Sequence, residues 1–165
     1  MKKQKNKIKL SKPDVSVIVP ARNEQFLEPT VNGILDNARG KIELIVVCDG
    51  YRPDFEFRKD PRLKVIYKGK EEGMRQGINS AVSIAEGDYI AKCDGHVLWD
   101  EGFDVKLLED ASPDVLLMPL RKRLDVVNWA IEPHDPIRKP DVSLEFLTFP
   151  DDEGAWGGSG CNGKI

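Results

Sequence analysis

Residues 15–50 read VSVIVPARNEQFLEPTVNGILDNARGKIELIVVCDG, and the alternation inside this stretch decides the fold. Val15-Ser16-Val17-Ile18-Val19 is a β-branched run of the kind that forms a strand, with Pro20 expected to end it. Pro29 suits the first turn of a helix, where its missing N–H is harmless. Val31, Ile34, Leu35 and Ala38 then recur at i, i+3, i+4 and i+7, which is one helical face, and Gly40 stops the helix. Ile42 to Val47 is apolar throughout except for Glu43, as expected of a strand covered on both faces.

The same alternation continues downstream. Leu63 to Tyr67 is a short strand. Met74, Ile78, Ala81, Val82 and Ala85 form the apolar stripe of a second helix, with Gly87 as its terminator. Asp88 to Cys93 returns as a strand, and Phe103, Leu107 and Leu108 suit a short helix. Val115 to Met118 reads as another strand, closed by Pro119. The class is therefore α/β, with a mostly parallel, doubly wound, Rossmann-like sheet flanked by helices. After Leu120 the order is less regular. Val126 to Ile131 and Val142 to Phe149 are expected as strands of a small antiparallel extension, joined through a loop that contains His134. Asp151, Asp152 and Glu153 also read as loop. The glycine-rich segment Trp156 to Gly163 near Ile165 leads us to expect a truncated or naturally short domain.

Composition narrows the function classes. Of 165 residues, 40% are hydrophobic and 32% charged, which fits one globular domain with a sizeable core. A formal net charge of -3 argues against a general nucleic-acid binder. Lys2, Lys3, Lys5, Lys7, Lys9 and Lys12 crowd residues 1–13, read as a basic, frayed tail, with a weak anionic-membrane or partner contact as the other reading. Pro13 and Asp14 interrupt the basic start before any signal-peptide core develops, and no transmembrane run of about 20 apolar residues occurs. Cys48, Cys93 and Cys161 are odd in number and widely spaced, which suits neither a disulfide framework nor a zinc site. A cytoplasmic location is the expectation.

Ligands of open α/β sheets bind beyond the carboxyl ends of the strands. Three polar clusters fall at such ends: Ala21-Arg22-Asn23-Glu24, Cys48-Asp49-Gly50-Tyr51 and Asp94-Gly95-His96. Together they suggest a single site. The first strand is not followed by G-x-G-x-x-G, and the chain has no G-x-x-x-x-G-K-[ST] and no G-x-S-x-G. A phosphate would then be held by a metal, by arginines or by backbone N–H groups. Asp94 and His96 are candidate metal ligands on either side of a glycine. A carboxylate, an imidazole and phosphate oxygens favour Mn²⁺ over Mg²⁺ or Ca²⁺. The other reading is a tight Asp-Gly turn with His96 at the surface. Arg75 and Asn79 lie one turn apart and could face a nucleotide while Met74 and Ile78 face the core. Taken alone, Arg75 reads as a solvated helix residue.

The segment Val15 to Glu24, with Glu43 to Asp49, Gly73 to Asn79 and Glu86-Gly87-Asp88-Tyr89-Ile90 leading into Asp94, resembles family 2 glycosyltransferases. Those enzymes have the glycosyltransferase-A fold and use nucleotide-diphosphate sugars. The resemblance divides the domain at 14–165 into a nucleotide-sugar half, 14–120, and a partial acceptor half, 121–165. It implies that Pro20, Arg22 and Glu24 line the nucleotide pocket and that Asp49 contacts the base or ribose. Arg75 and Asn79 would border the pocket, and Asp94 and His96 would occupy the Asp-x-Asp metal motif. His96 departs from that motif. The Asp-x-His form, continued through Trp99-Asp100-Glu101-Gly102-Phe103, resembles polypeptide N-acetylgalactosaminyltransferases. Family 2 enzymes generally invert the anomeric centre and that second group retains it, so the outcome stays open.

The resulting expectation is a metal-dependent transferase that moves a sugar from a nucleotide-diphosphate donor, a UDP-sugar first, to an acceptor hydroxyl with Mn²⁺ or Mg²⁺. The acceptor would be a saccharide, a protein or a lipid-linked molecule. No catalytic base is legible. A nucleotide-sugar binding module without transfer is the alternative. A nucleotidyltransferase is the weaker one, since its glycine- and lysine-rich first loop is missing.

Overall fold

The computed structural model describes residues 12–113, 115–119, 122 and 124–132. The chain divides into two compact units, 1–117 and 118–165. The first is built from β1 (Val15–Ala21), α1 (Leu27–Asn37), β2 (Ile42–Cys48), β3 (Leu63–Tyr67), α2 (Met74–Val82), β4 (Tyr89–Lys92) and α3 (Phe103–Glu109). Its four strands form one parallel sheet in the order β3-β2-β1-β4.

Period-two alternation sends neighbouring strand residues to opposite faces. Val15, Val17, Val19 and Ala21 of β1 join Leu44, Val46 and Cys48 of β2 on one face, which α1 and Phe103 cover. Ile18, Ile45 and Val47 form the other face with Ala81 of α2. Every residue of β2 is buried, the state its near-continuous apolar sequence requires. Each fully buried Val, Leu or Ile side chain here contributes about 1.5–3 kcal/mol.

Glu43 is the polar exception in β2 and is itself buried. It accepts from the Ser16 hydroxyl at 2.5 Å, from the Lys64 ammonium at 2.6 Å and from the Glu86 and Gly87 amides. The Gly87 N–H also donates to Ser16 Oγ at 2.9 Å. A Cβ on Gly87 would stand 2.5 Å from the Ser16 nitrogen, so only glycine lets the chain pass there before entering β4. Burial alone would push the Glu43 carboxyl up. The Lys64, Ser16 and Glu86 donors outweigh it and hold the group below the usual carboxylate range.

Five expectations are corrected. Pro20 does not end β1, which continues to Ala21 beside β2. The α2 helix stops at Val82 rather than running to Gly87. Ser80 and Ser83 donate their hydroxyls to the carbonyls of Gln76 and Ser80, and the chain tightens into i→i+3 bonds at Ile84 and Ala85. Within α2 it is Gly77 and Ala81 that are buried, whereas Met74 is 60% exposed. A Cβ on Gly77 would sit in ordinary contact with Val47 and Pro20, so small residues set this helix close to the sheet.

Among the described residues the Val115–Met118 run makes no ladder, and Val115, Leu116 and Met118 are exposed. The Val115 amide instead donates to Ser112 O in a turn. In the second unit, Val126–Ile131 is not one strand. Leu124–Asp125 and Ala130–Ile131 form a small antiparallel hairpin, β5 and β6. The Asp125 carboxylate accepts from the amides of Val127 and Asn128 and from the Asn128 side chain, and this bends the chain between them. The Val142–Phe149 strand, His134, residues 151–153 and the glycine-rich end lie outside the described residues.

Candidate functional site

The three polar clusters leave the same edge of the sheet. Ala21 pairs with Cys48, Cys48 with Tyr67, and Ile18 with Lys92, so Arg22, Asp49 and Asp94 all follow carboxyl ends. β2 and β4 lie on opposite sides of β1, which makes the β1–β4 boundary the topological switch point. Pro20 determines where that boundary opens. The Ile18 carbonyl accepts from Cys93 N on the β4 side, and the Ala21 carbonyl accepts from Asp49 N on the β2 side. Alternation therefore turns the Pro20 nitrogen toward β4, where it has no hydrogen to donate. The ladder to β4 stops and the ladder to β2 continues.

The Asp94-Gly95-His96 turn is anchored from below by α1. Buried Thr30 donates to Gly95 O at 2.9 Å and accepts from Val97 N at 3.1 Å. Asn37 donates to Trp99 O at 2.6 Å. Gly95 is buried between Asp94 and His96, whose side chains are 51% and 55% exposed. Asp94 pairs with the Lys92 ammonium. His96 Nδ1 lies 3.1 Å from Glu24 Oε2. A Cβ on Gly95 would come within 2.8 Å of Glu24 Cγ, so the missing side chain is what gives Glu24 its path to His96.

Across β1, Asp49 is buried, and its two oxygens accept the amides of Glu72 and Gly73, each at 2.8 Å. Asp49 thereby fixes the loop that starts α2. Gly50, at φ +72°, lets that loop cross, since a Cβ there would meet the Glu71 nitrogen at 2.5 Å. Arg22 pairs with Glu71 of the same loop. Pro20 packs beside Gly77. The expected residues thus fall into two linked groups: Pro20, Arg22 and Asp49 with the start of α2, and Glu24 with Asp94 and His96. Arg75 and Asn79 stand on exposed positions of α2.

Sequence reasoning missed the cleft of about 320 Å³ lined by residues 23–25 and 51–55. Glu24 lines it and also reaches His96, which joins the cleft to the Asp-Gly-His turn. The aromatic and charged run Tyr51-Arg52-Pro53-Asp54-Phe55, directly after a strand-end Asp-Gly, was the available signal. Arg52 stacks over the Tyr67 ring at 4.5 Å. Thr30 and Lys92 were also passed over. Burial pushes the Cys48 and Cys93 thiols up to about 11, so neither supplies a thiolate near neutral pH.

Among the described residues, no three His, Cys, Asp or Glu side chains converge as a metal cage. Asp94 and His96 offer one oxygen and one nitrogen donor on an open face. That set fits a hard dication that keeps water and takes phosphate oxygens to complete its shell.

Comparison with known proteins bears on the family. The model of the family described as glycosyl transferase family 2 matches residues 16–161. TuaG of Bacillus subtilis, provisionally named a teichuronic acid biosynthesis glycosyltransferase, is 34% identical over 105 residues, covering 59% of this chain and 42% of its own length. The uncharacterized glycosyltransferase EpsJ of Bacillus subtilis is 31% identical over 112 residues, covering 63% of this chain and 32% of its own. The glycosyltransferase GlyG of Streptococcus pneumoniae is 32% identical over 87 residues, covering 48% and 29%. The chain matches less than half the length of each of these relatives. Among the described residues, no helix is long and apolar enough to cross a membrane.

Proposed function

The chain belongs to glycosyl transferase family 2, and on that premise we propose that it binds a nucleotide-diphosphate sugar, a UDP-sugar first, and transfers the sugar to an acceptor hydroxyl with the help of a divalent cation. The observation that carries this reading is the shared sheet edge. Arg22, Asp49 and Asp94 follow three adjacent strands around the crevice that opens at Pro20.

In this reading, the 320 Å³ cleft walled by Tyr51–Phe55 receives the nucleoside. Asp49, two residues before that wall, holds the Glu72–Gly73 loop and stands on the side of the base or ribose. Arg22 and Arg75 bring positive charge to the phosphate side. Asp94 and His96 hold Mn²⁺, or Mg²⁺ as the second choice, at the mouth of the crevice. When bound, the cation neutralises the departing diphosphate and lowers the barrier to breaking the anomeric bond. The acceptor hydroxyl loses its proton to a base that the described residues do not identify. Saccharide, protein and lipid-linked acceptors all fit the reading, and it places no demand on stereochemistry.

Calorimetry with UDP tests the donor site. UDP is expected to bind at least about tenfold more tightly with Mn²⁺ than with chelator, and His96→Ala should abolish the difference. Equal affinity under both conditions overturns the metal assignment. A screen of nucleotide sugars with varied acceptors then separates the classes. Turnover supports a transferase, and donor binding without transfer or hydrolysis makes the chain a nucleotide-sugar binding module. Release of pyrophosphate from a nucleoside triphosphate would instead indicate a nucleotidyltransferase.

A further inference from the structure

We propose that Glu24 is the positioning residue of His96: it fixes the ring so that Nδ1 carries the proton and Nε2 presents its lone pair to the cation. The inference rests on the metal reading above and adds to it a residue that is not itself a ligand.

Three observations carry it. His96 Nδ1 faces Glu24 Oε2 at 3.1 Å. A carboxylate only accepts hydrogen bonds, so the ring nitrogen opposite it must be the one bearing hydrogen. In a neutral imidazole that leaves Nε2 as the donor to a metal, the carboxylate–histidine–metal arrangement. Next, Glu24 does not converge with Asp94 and His96 on a common point, since no three such groups do among the described residues. With Nδ1 facing Glu24, the ring nitrogen left for a cation is Nε2, which points away from that carboxylate. Finally, the contact is built into the backbone. Gly95 is buried against Glu24, where a Cβ would strike Glu24 Cγ at 2.8 Å and Cβ at 3.1 Å. Thr30 pins Gly95 O and Val97 N on either side of His96.

Because Glu24 also lines the 320 Å³ cleft, it links the contents of that cleft to the orientation of the ring. A group in the cleft that drew Glu24 away would free the ring to turn. One that left it in place would keep Nε2 aimed outward.

The chain has two histidines, His96 and His134, so nitrogen-detected NMR of histidine-labelled protein gives a spectrum that a His96→Ala variant assigns. The test uses the full chain at pH 8 and Mn²⁺ alone, with metal affinity read from the free-ion paramagnetic resonance signal. The expected wild-type ring is the Nδ1–H tautomer. Glu24→Ala should shift it toward Nε2–H and weaken Mn²⁺ binding about 10- to 100-fold. Glu24→Gln, whose amide oxygen still accepts from Nδ1, should restore the Nδ1–H tautomer and most of the affinity. Circular dichroism of each variant separates misfolding from misorientation. An Nδ1–H ring that persists in Glu24→Ala with unchanged affinity overturns the inference while leaving the metal site standing. If His96→Ala does not change Mn²⁺ affinity, the metal reading itself fails, and the tautomer shift still reports whether Glu24 orients the ring.

Discussion

At the amino end of the sheet, Ser16, Glu43, Lys64 and the Glu86–Gly87 amides close on one another, and the carboxylate at their centre is buried. At the carboxyl end, Arg22, Asp94 and His96 stand around a crevice with more than half of each side chain exposed. In the first cluster the buried carboxylate has its partners within the protein. In the second, each group has a single ionic partner and keeps part of its side chain open to solvent. Polar residues at a strand end therefore do not mark a site by themselves. What marks a candidate is remaining capacity to bond, located at the topological switch point.

Glu43→Ala should produce the largest effect on folding. It strands the Ser16 hydroxyl and the Glu86 amide and takes from Lys64 its buried partner, at a cost of about 3 kcal/mol read from urea unfolding. The same carboxylate gives stability a pH dependence. Its folded pKa is depressed, so the contribution is present above the ordinary glutamate value and is lost as pH falls through the lower, folded one. Urea midpoints should therefore drop for the wild type as pH falls below the ordinary glutamate range of about 4.3, with a shallower drop in Glu43→Gln. A parallel drop in both proteins would show that Glu43 does not carry the effect.

Gly95→Ala probes the open end. The added methyl displaces Glu24 and should cost about 1 kcal/mol or less in stability while removing most Mn²⁺-dependent UDP binding. If binding survives, the turn is less tightly specified than the Glu24 contact implies. Lys92→Ala should give the smallest change and in the opposite direction. Removing a cation from beside Asp94 is expected to tighten Mn²⁺ binding about two- to fivefold, with an effect that shrinks at high salt. Weaker binding in that variant would mean that Lys92 contacts the diphosphate instead of competing with the metal.

Much of the sheet was legible because its signals are local. The β-branched run at Val15, the 3.6-residue stripe through Ile34 and the apolar run before Asp49 each determine their element within a few residues. The failures occurred where the outcome depends on a partner. Val115–Met118 has strand composition, but a strand forms only against a neighbour. Val126–Ile131 reads as apolar, yet the side chain of Asp125 captures two amides and turns the chain. Pro20 was read as an end because proline stops ladders. It stops only the ladder toward which its nitrogen points. At the site, strand-end polar residues were visible from their positions. The 3.1 Å pairing of Glu24 with His96 was not, because 72 residues of chain separate the two.

Thr30 has a consequence in the time domain. Its hydroxyl, on a helix in the core, holds both the carbonyl of Gly95 and the amide of Val97. The Asp-Gly-His turn cannot open without disturbing α1, so its motion is tied to that of the hydrophobic core. The Val97 amide should exchange with solvent deuterium at the slow rate of the β1 and β2 amides, far below that of an ordinary surface loop. The Asp-Gly-His turn would then present its side chains at a fixed spacing before any ligand arrives.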